Sequence, residues 1–196
     1  ELILRGACRQ AKEWVDLGYT DLKIAVNFSA KQFSQGDLVH TLQSILQETG
    51  LNPKNLKMEI TEYTVMNDTK KTVEMMRQLT AMGVEISIDD FGTGFSSLSY
   101  LKNFPVHTLK IDKSFVDSLL EKEEDAVFIR TIIGIAKSLN LELIAEGVET
   151  KEQLDFLKKE GCFMIQGYYF SKPLPPTEVL DFLQNKISSS FLKQLA

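Results

Sequence analysis

Six short apolar segments, each ending in polar or charged residues, follow one another along this chain with helix-like stretches between them. They recur at intervals of 20 to 36 residues. Strand–helix units repeated in this way predict a largely parallel sheet with right-handed crossovers. In a TIM-like (β/α) barrel the C-terminal ends of such strands meet around one axis, where catalytic groups lie. The predicted fold class is therefore α/β, and the candidate site residues are those at the six ends: Asn27, Glu59, Asp89 with Asp90, Lys110, Glu146 and Gln166.

A closed barrel of this class has eight strands, whereas the pattern contains six. The chain opens in a helix-like stretch, so we expect the two further strands to precede it. No Gly/Ser/Pro-rich linker divides the chain, and residues 1–196 are predicted to form one domain fragment, the C-terminal three quarters or so of a complete domain. The predicted helices span 3–17, 34–48, 68–82, 97–101, 124–139, 151–160 and 176–185.

The charge balance argues against a DNA or RNA polymer as partner. The chain carries 22 basic and 27 acidic residues, a net charge of −5, which provides no general attraction to nucleic acid or anionic lipid. A phosphate substrate would need positive charge close to the site. The two cysteines, Cys8 and Cys162, match no metal-ligand spacing and are too few for a disulfide framework, so we expect buried, reduced thiols in a cytoplasmic protein.

Side chains alternate between the two faces of a strand, and this alternation divides polar from apolar residues in four of the six segments. If Glu59 points toward the barrel axis, Lys57 and Thr61 do so too, while Met58 and Ile60 face the helices. The same test places Asn27, Asp89 and Lys110 inside. A barrel filled only for stability would hold Val, Ile and Leu there, so polar residues predict a site.

Several carboxylates in one cavity cannot all stay ionised without a counter-charge, and a divalent metal would supply it. Oxygen ligands suit Mg²⁺ or Mn²⁺, and the adjacent pair Asp89 and Asp90 would let one carboxylate bridge two ions. Lys110 would add positive charge near the attacking water or the phosphate. Taken singly, each residue has an ordinary alternative: Glu59 as a solvated loop residue, or the two aspartates with the following Phe-Gly-Thr-Gly as turn chemistry.

Five ordered segments carry a resemblance to one family. The sequences VNFSAKQF (26–33), MEITE (58–62), IDDFGTGFSSLSYLKNFPVHTLKID (88–112), IAEGVET (144–150) and QGYYFSKPL (166–174) resemble the EAL domain, a bacterial phosphodiesterase that hydrolyses the second messenger cyclic di-GMP. The resemblance extends from about residue 3 to residue 185. It implies a TIM-like barrel and in-line attack of a metal-activated hydroxide on one phosphodiester bond, which releases linear pGpG.

The resemblance also implies roles for particular residues. Lys110 and Gln166 would hold the hydrolytic water, with Lys110 as general base or electrostatic helper, and Asp112 and Gln166 would contact substrate. Glu62 would anchor the loop Phe91-Gly92-Thr93-Gly94, which in the family links the metal site to a dimer interface, and Glu149 would support the site from outside the ligand set. The implied metal ligands are Asn27, Glu59, Asp89, Asp90 and Glu146.

One departure from the family pattern is large, because no Glu-Ala-Leu tripeptide occurs in the chain. In the family its glutamate is a metal ligand on an early strand, so these residues alone are expected to bind metal poorly and to hydrolyse little. A noncatalytic cyclic di-GMP receptor or protein-interaction module stays open as the alternative. The resemblance further implies a homodimer and an upstream sensory or regulatory domain, through which the parent protein would be regulated or attached to a membrane.

Overall fold

The computed structural model describes residues 1–34, 37–67, 69–94 and 101–188. Six parallel strands form one sheet in the order of the chain, β1-β2-β3-β4-β5-β6. The strands are β1 Ile24–Phe28, β2 Leu56–Thr61, β3 Glu85–Phe91, β4 Thr108–Ile111, β5 Glu142–Ala145 and β6 Met164–Ile165. The helices are α1 Leu2–Asp16, α2 Ala30–Ser34, α3 Leu38–Thr49, α4 Glu62–Asn67, α5 Thr69–Ala81, α6 Lys113–Ser118, α7 Glu123–Leu139, α8 Lys151–Glu160 and α9 Pro176–Ser188, with a 3₁₀ turn at Pro53–Asn55.

The long helices agree with the predicted ranges, and the differences concern short elements. The helix predicted over 34–48 is α3, which begins at Leu38, because α2 is a separate helix of one turn. Helices α4 and α6 were also missed, since five or six residues are too few to show a helical period. The helix predicted over 97–101 lies almost wholly outside the described residues. No helix in the described ranges is both long and apolar enough to cross a bilayer.

The core lies between the sheet and the helices. Met58 and Ile60 of β2 are fully buried on the helix side, as are Leu109 and Ile111 of β4. The predicted alternation of faces is confirmed, because Glu59 and Lys110, which lie between these core residues in the strands, pair with each other on the opposite face. Both predicted buried thiols are also confirmed, since Cys8 and Cys162 are free and almost completely buried.

The two outer strands of the sheet, β1 and β6, are its edges, and side chains next to β6 are exposed. Within the described ranges, β1 pairs only with β2, and β6 pairs only with β5. Strand β6 has two residues, and the neighbouring Phe163 is 69% exposed. The aromatic-rich run 163–170 predicts barrel core, with Tyr168 or Tyr169 as a candidate contact for a guanine. The core prediction is wrong for Phe163, Met164 and Tyr168, whose side chains are exposed beside this edge.

A buried ionic cluster lies on the inner face, at the N-terminal ends of the strands. The ammonium of Lys57 donates to Thr108 Oγ1 at 2.8 Å and to Glu142 Oε2 at 3.2 Å. It also lies 3.5 Å from Glu85 Oε2, and Lys23 pairs with Glu85 at 2.5 Å. These contacts join β2, β3, β4 and β5, so Lys57 ties neighbouring strands together inside the sheet.

Replacing Lys57 with methionine is expected to lower the free energy of unfolding by about 1–3 kcal/mol at pH 7, because the hydrogen bonds of a buried charge are lost, although its carboxylate partners Glu85 and Glu142 stay partly solvated. Burial tends to raise the pKa of Glu142, but the hydrogen bond and charge of Lys57 outweigh burial and lower it. A lowered folded-state pKa gives stability that is present above the ordinary value of 4.5 and is lost as the pH falls through the folded value.

Urea unfolding of both proteins between pH 7 and pH 3 tests this expectation. The difference between wild type and Lys57→Met should shrink as the pH falls below about 4.5. A difference that stayed constant over that range would show that the ion pair to Glu142 does not contribute.

Candidate active site

Three carboxylates surround one buried ammonium at the C-terminal ends of the strands. Lys110 Nζ lies 2.5 Å from Glu146 Oε1, 2.9 Å from Glu59 Oε1 and 3.2 Å from Asp89 Oδ1. The Lys110 side chain is only 3% exposed, and the three carboxylates are 8–16% exposed. We call these four residues the acidic centre.

Parallel register explains why residues so far apart in the chain meet here. Glu59 lies near the end of β2 and pairs with Ser87, two residues before Asp89 on β3. Lys110 lies on β4, and Glu146 directly follows β5, with its backbone N–H donating to Ile111 O at 3.2 Å. The C-terminal ends of parallel strands meet at one end of the sheet, which brings the four side chains together.

A β-bulge at Asp89 and Asp90 interrupts the alternation of faces. Ile88 pairs with Leu109 and Phe91 with Ile111, so two residues of β3 face one residue of β4. Asp90 adopts a left-handed φ of 54°, one of two non-glycine residues in the described ranges to do so. An extra residue of this kind re-aims a side chain, and here it brings consecutive carboxylates into one electrostatic environment.

Asp90 shares that environment with Asp112. Burial, the charges of Asp89 and Asp112 and a side-chain hydrogen bond to Asp112 all raise the pKa of Asp90, while the charge of Lys110 opposes them. Asp112 also caps α6 by accepting hydrogen bonds from the backbone N–H and the hydroxyl of Ser114. The predicted substrate contact at Asp112 is therefore engaged in local hydrogen bonds in this structure.

Burial and the neighbouring charges in the acidic centre shift the pKa values of Lys110 and Glu146. Burial alone would lower the pKa of Lys110, but hydrogen bonds to Glu146 and Glu59 and the charges of Glu59 and Asp89 raise it well above its usual value. The pKa of Glu146 is also raised, mainly by burial, against the lowering effect of Lys110. A raised pKa favours the charged form of Lys110, which suits electrostatic stabilisation better than proton abstraction.

Glu62 holds the glycine-containing loop that follows β3. It is buried at the start of α4, and its Oε2 accepts hydrogen bonds from Gly92 N at 2.9 Å and Gly94 N at 3.4 Å. Gly92 has a φ of 101°, and a Cβ there would lie 2.6 Å from the ring of Phe128 on α7. The loop 91–94, with Phe91 buried and Thr93 exposed, is thus held between α4 and α7, in accord with the anchoring predicted for Glu62.

A cavity of about 400 Å³ opens beside the acidic centre. Glu146 and Gln166 line it together, so the structure brings these two predicted residues to one space. One further feature was missed in the sequence: Lys113 bridges Glu149 at 2.7 Å and Asp117 at 3.0 Å. Tyr168, a candidate guanine contact from the sequence, is exposed at this cavity, and Lys172 lies over its ring at 6.0 Å. The only signal for Lys113 was its place next to Asp112 at a strand end.

Asn27 is less closely joined to the site. It pairs with Glu59 in the register of β1 and β2, at the expected height. Asn27 is exposed, however, and it lines a different cavity together with residues of α1 and α3. Within the described residues, no contact links its side chain to the acidic centre.

The chemistry of the donor set fits a hard divalent cation. Three carboxylates that converge on one cation offer the oxygen ligands that Mg²⁺ and Mn²⁺ prefer. As arranged here the oxygens surround the ammonium, and within the described ranges no three Asp, Glu, His or Cys side chains have metal-ligand spacing. Glu59, Asp89, Asp90 and Glu146 would hold the metal, whereas the amide of Asn27, which the resemblance implies as a further ligand, has no contact with them in the described structure.

The fold and the acidic centre together define a domain of the (β/α)-barrel class with a polar site at the ends of its strands. The chain belongs to the EAL domain family, because the sequence model of that family matches residues 1–173. The resemblance noted in the sequence is thereby confirmed.

Two relatives from Pseudomonas aeruginosa illustrate the relationship. The bifunctional diguanylate cyclase/cyclic di-GMP phosphodiesterase MucR is 44% identical over 180 residues, which are 92% of this chain and 26% of MucR. The cyclic di-GMP phosphodiesterase NbdA is 39% identical over 182 residues, 93% of this chain and 23% of NbdA. The chain therefore spans about a quarter of the length of these relatives.

Solved structures confirm the fold class. The PaMucR phosphodiesterase in complex with cyclic di-GMP has a TM-score of 0.89 at 44% identity, and the match covers 91% of this chain and 72% of that one. The EAL domain of Mycobacterium smegmatis DcpA has a TM-score of 0.88 at 38% identity, with 93% and 82% covered. A manganese/cyclic di-GMP complex of Klebsiella pneumoniae BlrP1 has a TM-score of 0.76 at 28% identity, with 84% and 42% covered.

Proposed function

We propose that the domain to which this chain belongs is a metal-dependent phosphodiesterase that hydrolyses cyclic di-GMP to linear pGpG. The observation that carries the proposal is the acidic centre, in which Lys110 lies within 3.2 Å of three carboxylates at the strand ends. Family membership and the phosphodiesterase relatives MucR and NbdA support the choice of substrate.

The reaction adds water across one phosphodiester bond. The water oxygen forms a bond to phosphorus, the bond from phosphorus to the ribose 3′-oxygen breaks, and that oxygen takes up a proton. Mg²⁺ or Mn²⁺ bound by the carboxylates would supply Lewis-acid charge at the phosphate. Lys110 would stabilise charge that develops on the phosphate, because its raised pKa favours the cationic form.

Local positive charge lets a protein with a net charge of −5 accept a dianionic substrate. Lys113 and Lys172 line the cavity beside Glu146, and Gln166 offers an amide that would orient the water or a phosphate oxygen. Lys172 and the bound Mg²⁺ or Mn²⁺ would offset the acidic surface where the substrate lies, because Lys110 and Lys113 are already paired with carboxylates. Asp112 and Glu149 would act by holding neighbouring groups in place, since both are engaged in local hydrogen bonds or ion pairs.

We further propose that residues 1–196 act as one unit of a larger bacterial signalling protein, which forms a homodimer in the cytoplasm. Support comes from the single sheet of six strands, from the buried free thiols and from the small share of the relatives that the chain covers. Mass measurement in solution would test the dimer.

Hydrolysis is best assayed with the full-length protein that contains this chain, purified and supplied with cyclic di-GMP and Mg²⁺ or Mn²⁺. We expect chromatography to show pGpG as the product, and EDTA to stop its formation. The 196 residues alone should turn over little substrate, because β1 and β6 are unpaired on their outer sides in the described structure. Binding of cyclic di-GMP by the full-length protein without any pGpG would contradict the proposed reaction.

A further inference from the structure

The ammonium of Lys110 lies where a divalent cation would need its ligands. We propose that Lys110 is a built-in counter-ion that competes with the divalent metal for Glu59, Asp89 and Glu146, so that the metal binds fully only when the lysine leaves them. This inference rests on the proposed function for the identity of the metal site, although its test does not depend on hydrolysis.

The contacts of the ammonium leave no room for a metal ion at the same oxygens. The ammonium contacts one oxygen from each of the three carboxylates, at 2.5, 2.9 and 3.2 Å. Mg²⁺ needs oxygens at about 2.0–2.1 Å in a near-octahedral shell. An ion that takes these same oxygens would lie almost in contact with the ammonium, so the two cations cannot share them in this arrangement.

The charges of the acidic centre also oppose a second cation at the same oxygens. Counted as formal charges, the three carboxylates and the ammonium sum to −2, and their side chains are only 3–16% exposed. A divalent ion is attracted to that charge, but it is repelled at short range by Lys110, and such repulsion is screened little in a buried site. The lysine thus keeps the carboxylates together before metal arrives and weakens the site for metal.

A second buried lysine offers a matched control. Lys57 lies on the same inner face and is 7% exposed, close to the 3% of Lys110, and it also pairs with glutamates. It contacts none of the carboxylates of the acidic centre in the described structure. Loss of Lys57 therefore removes a nearby positive charge without freeing Glu59, Asp89 or Glu146.

The test is titration of the metal-free full-length protein with Mn²⁺, followed by loss of the free-ion electron paramagnetic resonance signal, with no nucleotide present. Lys110→Met is expected to bind Mn²⁺ about tenfold tighter or more than wild type, because a close repulsion is removed. The Mn²⁺ affinity of Lys57→Met should stay within about threefold of wild type, since the charge of Lys57 lies in the separate ionic cluster at the N-terminal ends of the strands.

Lys110→Gln serves as a second variant in case methionine leaves the carboxylates too destabilised to fold. Its amide still donates hydrogen bonds to them but carries no charge, so the same gain in affinity is expected. The proposal is overturned if either folded variant binds Mn²⁺ no tighter than wild type, or if Lys57→Met gains as much as the Lys110 variants. A protein that passes this test but forms no pGpG would contradict the proposed reaction alone.

Discussion

Asp89→Asn in the full-length protein is expected to lower kcat for cyclic di-GMP hydrolysis by about 1,000-fold or more. An amide replaces one of the three carboxylates around Lys110, so the site loses a negative ligand for the metal and the ammonium loses a partner at 3.2 Å. Charge stabilisation by a metal is worth several kcal/mol, which corresponds to a factor of this size. Measurement of pGpG release at saturating Mn²⁺ checks the result.

Glu85→Gln is the matched control for that experiment. Glu85 lies four residues earlier on β3, on the same inner face, and its carboxylate pairs with Lys23 and Lys57 rather than with Lys110. Its loss should cost stability while leaving kcat within about threefold, because the charge is screened from the site by distance and solvent. Equal losses in the two variants would show that the position of the carboxylate does not matter, and an active Asp89→Asn protein would refute the assignment of Asp89.

Gly167→Ala is expected to destabilise the fold by about 2–3 kcal/mol and to distort the cavity beside Glu146. A Cβ at Gly167 would overlap the backbone N, C and O atoms of Val148. These two segments are joined by the hydrogen bonds from Val148 N to Gln166 O and from Tyr169 N to Val148 O. A rigid backbone cannot make room as a side chain can, so the strand ends that carry Glu146 and Gln166 must separate.

Gly134→Ala distinguishes this close approach from a general effect of losing glycine. Gly134 lies inside α7, and a Cβ there would meet nothing within 4 Å. Alanine in a helix interior should therefore stabilise the protein by up to about 1 kcal/mol. Thermal unfolding and hydrolysis of both variants are to be compared with wild type, and a Gly167→Ala protein of unchanged stability and activity would contradict the expectation.

The alternation of polar and apolar residues along the strands is enough to predict much of the fold. Met58, Ile60, Leu109 and Ile111 lie on the helix side as expected. Because strand side chains alternate strictly, one buried face also decides where the other face points. The same rule predicted the meeting of Glu59, Asp89 and Lys110 at one end of the sheet.

Alternation failed where the backbone departs from a regular strand. It could not place Asp90, whose left-handed φ of 54° belongs to a bulge and is set by the pairing of β3 with β4. Alternation also grouped Asn27 with the acidic centre. Asn27 does pair with Glu59 in the register of the strands, but it lines a different cavity. The aromatic residues in the run 163–170 favour a place in the core. Aromatic content, however, carries no information about whether a neighbouring strand covers these residues.

The sequence by itself determined the class of fold, the family and the set of polar residues that face the barrel axis, because periodicity and local motifs are properties of neighbouring residues. Only the tertiary structure decided that Lys110, at 2.5–3.2 Å from three carboxylates, is the cation at their centre, and that Glu146 and Gln166 share one cavity. Those distances depend on the register of β2, β3, β4 and β5 together, which residues spread over almost ninety positions of the chain settle jointly when they pack.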